Sequence, residues 1–208
     1  SPIKQELDVT NRKQVFDFFQ KNSIDLVIHT AAITNIRLCE ENRKLAWDTN
    51  VQGTRNLVDA IKKSENNTKF IYISTACVFD GHRGMYKESD IPYPENFYAL
   101  TKLMGESEVS KISEYLIIRT NFVARKPWPY PAAFTDRFGT YLFAENVAKG
   151  IKDVLDKKLH GIIHLVGDEK ISMFELAKIT TPDVKPMTIE DYEGPPLTMD
   201  MSLDTEHW

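Results

Sequence analysis

Apolar residues along this chain fall into two alternating patterns, short near-continuous runs and longer stretches at helical spacing. Leu7-Asp8-Val9-Thr10 reads as the end of a short strand, and Thr10 or Asn11 can cap a helix with apolar positions at Val15, Phe16, Phe18 and Phe19. Residues 24–32 form an apolar run that closes on small residues, which suits a strand buried on both faces as in a parallel sheet. A second helical stretch covers 44–63, with Leu45, Ala46, Val51, Leu57, Val58 and Ile61 on its apolar side. Another buried strand follows at 69–74, then a loop with Pro92 and Pro94, a helix over about 96–112 and a strand at 115–119. Strands alternating with helices predict βαβ units and an α/β, doubly wound parallel sheet.

Beyond Arg119 the pattern changes. Pro127, Pro129 and Pro131 at alternate positions exclude regular helix, so this stretch is expected to be an exposed extended loop. Its Trp128 and Tyr130 either line a pocket or pack on the base of the loop. Helical spacing resumes over 144–157, a strand is expected at 161–166, and Ser172 with Glu175 forms a capping box for a short helix. The proline-bearing tail after Pro182 reads as loop-rich. The expected division is a larger region over 1–122 and a smaller one over 123–208, with 143–166 packing back on the sheet.

Composition narrows the function. The chain has 208 residues, 42% of them hydrophobic, which is enough for one substantial core and at most two small domains. Its net charge is -4, and the basic residues are interspersed with acids, so neither a nucleic-acid nor an anionic-membrane footprint is present. No apolar run reaches the ~20 residues that span a bilayer. Cys39, Cys77 and the five histidines show no metal-ligand spacing, and two isolated cysteines fit a reducing cytoplasm. Small-molecule chemistry is the class that remains.

Tyr98 and Lys102 stand four apart at the start of the helix over 96–112, so phenol and ammonium project from one face. A cation beside a phenol favours the phenolate and makes the pair an acid/base unit, although the same spacing is common on solvated helices. In an open parallel sheet ligands bind beyond the carboxyl ends of the strands, here at Thr30-Ala31-Ala32, Ser74-Thr75-Ala76 and Arg119-Thr120-Asn121-Phe122. Thr75 follows its strand directly, so its hydroxyl is expected at the same crevice.

These residues resemble the active site of the short-chain dehydrogenase/reductase superfamily, in its extended, sugar-nucleotide-modifying branch. Thr75 followed by Tyr98-x-x-x-Lys102 is similar to the catalytic triad of that branch. Asp8-Val9, His29-Thr30-Ala31-Ala32, Asn50-Val51-Gln52-Gly53-Thr54, the stretch from Ser74 to Gly81 and Tyr86-Lys87-Glu88 resemble further motifs in family order. The segment 199–205 is similar to the closing stretch of dTDP-4-dehydrorhamnose reductases. The resemblance implies NADP or NAD as cofactor, a nucleotide-linked keto sugar as substrate, and room for a homodimer. It implies Tyr98 as proton donor, Lys102 as the cation that lowers its pKa, and Thr75 as the hydroxyl that orients the carbonyl. Asn50 either steadies the lysine or packs its helix. Asp8, Val9, Thr30, Ala31, Ala32, Ile73, Thr120, Asn121 and Phe122 would line the cofactor. Ala76, Cys77, Asn121, Trp128 and Tyr130 would join Thr75 and Tyr98 at the substrate, with Cys77 alternatively a buried inert thiol.

Departures refine the expectation. Ala76-Cys77 stand where related sugar-nucleotide dehydratases carry an Asp-Glu pair, which argues against dehydration. Ala99 stands where glycine is common after the tyrosine, and Arg37 where the reductases usually carry an acid. The 208 residues contain no Gly-x-x-Gly-x-x-Gly phosphate turn, so a family-like amino-terminal portion is expected ahead of Ser1, and dinucleotide binding without it is expected to be weak. An NAD-retaining epimerase, and a non-catalytic regulatory subunit resembling the methionine adenosyltransferase β subunit, are the alternative functions.

Overall fold

A computed structural model describes every residue except Ser1, Glu65 and Trp208. Two compact units emerge, one of residues 1–74 with 96–118 and one of residues 75–95 with 119–208.

The first unit is built on three parallel strands, β1 (Leu26–His29), β2 (Lys69–Ile73) and β3 (Tyr115–Arg119, within the unit to Ile118). β2 lies in the middle, pairing Ile28 with Ile71 on one side and Ile73 with Ile118 on the other. Helix α1 (Arg12–Lys21) starts where the Asn11 side chain accepts from Gln14 N, and it buries Val15 and Phe19, one turn apart. Short helices α2 (Ile36–Glu41) and α3 (Arg43–Trp47) lead through a π-helical turn at Asp48–Gln52 into α4 (Gly53–Lys63), which packs on α1. Helix α5 (Phe97–Val109) is capped by Asn96, whose side chain accepts from Ala99 N, and packs on α4 and β2.

Three expectations fail in this unit. Leu7-Asp8-Val9-Thr10 forms turns rather than a strand: Glu6 and Leu7 both donate to the Ile3 carbonyl, and the Asp8 carboxylate accepts from the Thr10 amide and hydroxyl. A short polar side chain here offers the backbone a local partner in place of a ladder. The run over 24–32 was expected to be buried on both faces, yet strand β1 covers only four residues and leaves Leu26 and Ile28 38% and 44% exposed. Alternate residues share a face, so one face of β1 lacks a cover while His29 on the other is buried. The helix expected over 44–63 is interrupted at its middle by the π turn, where Gly53 N donates to Asp48 O.

The second unit consists of small paired strands and two helices. β4 (Phe122–Val123) runs parallel to β7 (Leu142–Phe143), and β5 (Ala132–Phe134) parallel to β10 (Lys185–Met187). β6 (Phe138–Gly139) lies between β11 (Asp200–Met201) and the antiparallel β9 (Ile171–Ser172). Helix α6 (Ala144–Asp156) precedes β8 (Gly161–His164), and α7 (Met173–Thr180) carries the expected Ser172/Glu175 capping box. No described helix is long and apolar enough to cross a membrane.

Candidate active site

In the first unit the amino-terminal half of α5 carries Tyr98 and Lys102 and meets the carboxyl end of β2 through Lys102. Lys102 is 4% exposed; its Nζ donates to the Ile73 carbonyl at 2.8 Å and stands 4.0 Å from the centre of the Tyr72 ring. Burial brings its pKa down to about 7, against a smaller opposing influence from Glu106. Tyr98, one helical turn before it, is half-buried and therefore reachable from outside the unit's core. Tyr72 is buried, and its phenol donates to the Lys102 carbonyl at 3.4 Å.

Asn50 lies inside the π turn and is 1% exposed. Its Oδ1 accepts from Ile33 N at 2.7 Å, while Nδ2 donates to Ile33 O and to Thr101 Oγ1, both at 2.9 Å. It therefore ties the segment after β1 to α5 beside Lys102. Behind it, Thr54 Oγ1 donates to Asn50 O and lies 3.1 Å from His29 Nε2. Burial, and secondarily the Lys102 charge, brings the His29 pKa down to about 3, so the imidazole is neutral.

Of the residues expected along a cofactor, Val9, Thr30 and Ala31 line one cavity of about 410 Å³ with Leu7, Leu26 and His29. Val9 is held there by its carbonyl, which accepts from Asn56 Nδ2, and by Gly53, where a Cβ would stand 2.8 Å from Val9 Cγ2. Thr30 and Ala31 are exposed and Ala32 is half-buried. Asp8 is engaged by Thr10.

In the second unit Thr75 caps a 3-10 turn over Ala76–Val78, its Oγ1 accepting from Cys77 N at 3.2 Å. Cys77 thus belongs to a turn that follows the strand. Its buried Sγ lies 3.3 Å from Met201 Sδ, and Asn121 Nδ2 donates to Met201 O, so Cys77 and Asn121 converge on that residue. Thr120 is buried and Phe122 is exposed. Trp128 is half-buried, anchored by Trp128 N on Thr181 Oγ1 and Nε1 on Ala132 O, whereas Tyr130 is 64% exposed and meets its ring edge-on. Both line a cavity of about 370 Å³ with Val123, Lys126, Phe143 and Leu176.

Several motif residues prove architectural. The rings of Phe79 and Tyr86 stack with centroids 4.5 Å apart, and the Tyr86 hydroxyl donates to Asp80. Glu88 accepts from His164 N, Thr205 Oγ1 and Glu206 N, fastening the closing segment. Gly81 and Gly84 adopt positive φ, and a Cβ on either would collide with residues 198–200. Glu106 and Arg137 belong to none of the sequence motifs, and Ser74 and Thr54 stand in motifs that give them no role of their own. Glu106 was detectable as the next residue on the Tyr98/Lys102 face. Arg137, buried against Thr198 O and the Met173 and Met201 sulfurs, leaves no periodic signal.

Comparison with known proteins follows the same lines. The family model described as "RmlD substrate binding domain" matches residues 1–127. A dTDP-4-dehydrorhamnose reductase of Aggregatibacter actinomycetemcomitans is 28% identical over 83% of this chain and 65% of its own length. The methionine adenosyltransferase 2 subunit beta of Xenopus laevis is 27% identical over 86% of this chain and 62% of its own. The chain thus spans a little under two thirds of the length of these curated relatives. Among solved structures, a dTDP-4-dehydrorhamnose reductase from Bacillus anthracis in complex with NADP superposes with a TM-score of 0.87 at 26% identity, covering 97% of this chain and 79% of that one.

Proposed function

The chain belongs to the RmlD substrate-binding-domain family, and on that footing we propose that it carries the proton-transfer site of an NAD(P)-dependent reductase acting on a nucleotide-linked keto sugar. The observation that supports this reading most is the buried Lys102 ammonium, held on the Ile73 carbonyl one turn from the half-buried Tyr98. Burying a cation is costly unless it is paired and hydrogen-bonded, so a lysine held there supports an electrostatic task for it.

In this reading Tyr98 gives its phenolic proton to the substrate carbonyl oxygen, and the Lys102 cation stabilises the phenolate left behind. The resemblance assigns Thr75 to orient that oxygen; within its own unit the Thr75 oxygen accepts from Cys77 N, which leaves its hydroxyl hydrogen to donate. Asn50 holds α5 in register through Thr101 and Ile33. By the resemblance Lys102 would bond the nicotinamide ribose and Asp8-Val9 the adenine; Val9, Thr30 and Ala31 line a largely apolar cavity that Lys102 does not border. When bound, the nicotinamide supplies the hydride. The relatives named dTDP-4-dehydrorhamnose reductase make a dTDP-linked 4-keto sugar the first substrate to try.

In the full-length protein, Tyr98→Phe is expected to abolish NADPH-dependent reduction of dTDP-4-dehydrorhamnose while leaving dinucleotide affinity, measured by calorimetry, nearly unchanged. Retained turnover overturns the assignment. A second reading, a non-catalytic subunit, is supported by the likeness to the methionine adenosyltransferase 2 subunit beta. Dinucleotide binding without turnover in the wild-type protein would favour it.

A further inference from the structure

Helix α5 presents Tyr98, Lys102 and Glu106 at four-residue intervals, so the three share one face. Glu106 is as buried as Lys102, each 4% exposed. Its Oε1 accepts from Ser74 Oγ at 2.5 Å, while Lys102 Nζ donates to the carbonyl of Ile73, the residue before Ser74, at 2.8 Å. The carboxyl end of β2 is therefore gripped at two consecutive residues, once by a cation and once by a carboxylate, both from α5. A carboxylate taken out of water is destabilising unless it is hydrogen-bonded and balanced by opposite charge. Ser74 answers the first need and Lys102 the second.

We propose that Glu106 is a positioning residue for the acid/base site, pinning the end of β2 through Ser74 and keeping the Lys102 ammonium charged beside Tyr98. The catalytic consequence rests on the reductase reading above; the electrostatic one does not. Within this unit the groups facing Lys102 are His29 from β1, the Tyr72 ring from β2, and Tyr98 and Glu106 from its own helix. His29 is neutral, and Glu106 is the carboxylate of the set. Burial draws Lys102 down to about 7, and Glu106 opposes that pull. Without Glu106 the charged fraction of the amine near neutral pH would fall further, and with it the charge that favours the Tyr98 phenolate.

The test is a pH titration of the Lys102 side chain by NMR in the full-length protein with 13C-labelled lysine, the resonance identified by its loss in Lys102→Met. Glu106→Gln keeps a hydrogen-bond acceptor for Ser74 and removes the charge. It is expected to move the Lys102 midpoint down by about one pH unit and to carry the alkaline limb of the kcat profile with it. An unmoved midpoint in the folded variant overturns the proposal. Ser74→Ala, which removes the hydroxyl donor and leaves the charge, is expected to lower kcat several-fold with KM for the sugar nucleotide unchanged and to displace the Lys102 midpoint. A midpoint and kcat both equal to wild type refute the pinning, including in the case that Glu106→Gln does not fold. Absence of turnover in the wild type would count against the reductase reading alone, because the lysine titration is read with no substrate present.

Discussion

Gly105 on α5 lies directly against Tyr72 on β2: a Cβ at Gly105 would stand 2.1 Å from the Tyr72 phenol oxygen and 2.7 Å from Cζ. That phenol donates to the carbonyl of Lys102, so the absence of a side chain at Gly105 sets how closely α5 approaches the central strand. Gly105→Ala gains up to about 1 kcal/mol of helix preference, yet overpacking a filled core costs about 1–3 kcal/mol. The expected outcome is a net loss of stability in urea unfolding and a larger fall in turnover, with Tyr72→Phe in the same chain recovering part of both. Unchanged stability would show that the strand yields at this contact.

Asn50 satisfies both backbone groups of Ile33 and the Thr101 hydroxyl from inside a π turn. Asn50→Ala strands buried polar partners, each worth about 1–3 kcal/mol when left unmade. A destabilisation of about 2–4 kcal/mol is expected by denaturant titration, on the basis of that range. A loss below about 0.5 kcal/mol, the level of an ordinary surface change, would rule out the clamp.

Stability should depend on pH through two buried bases. Lys102 titrates at about 7 in the folded chain and near 10.5 when unfolded. Between those values the unfolded chain binds the extra proton, so stability rises with pH. Relative to Lys102→Met, the wild-type melting temperature is therefore expected to climb from pH 7 to 9. His29 titrates at about 3 folded against 6.5 unfolded, so its contribution falls away as pH drops below 6.5. His29→Gln is expected to flatten the wild-type loss of melting temperature between pH 6.5 and 4. Parallel curves for wild type and variant would contradict either assignment.

Trp128 and Tyr130 separate by burial. Trp128 packs on the small cluster of Ala133, Ala177 and Val184, so Trp128→Ala is expected to cost about 3–5 kcal/mol. Tyr130 is exposed at the mouth of the same cavity, and Tyr130→Ala is expected to leave melting unchanged while raising KM for the sugar nucleotide. An unchanged KM removes Tyr130 from the substrate site.

The α/β pattern, the α5 helix with Tyr98 and Lys102 one turn apart and the Ser172/Glu175 capping box were legible in the chain, because each depends on spacing within a dozen residues. Burial was less so. The apolar run ending in His29 carries the composition of a strand covered on both faces, but whether a face is covered depends on what packs against it. Likewise Asp8-Val9 sits in turns, since Asp8 found a partner two residues away in Thr10.

Local order along the chain thus determined the Tyr98/Lys102 spacing, the parallel-strand periodicity and the proline loop, all of which follow from backbone geometry at short range. Only the tertiary structure decided that Lys102 is buried and held on Ile73, that Glu106 reaches Ser74 across 32 residues of sequence, and that Asn50 closes on Ile33 and Thr101. Desolvation and long-range hydrogen bonds depend on which distant residues meet, and no periodicity along one segment encodes that.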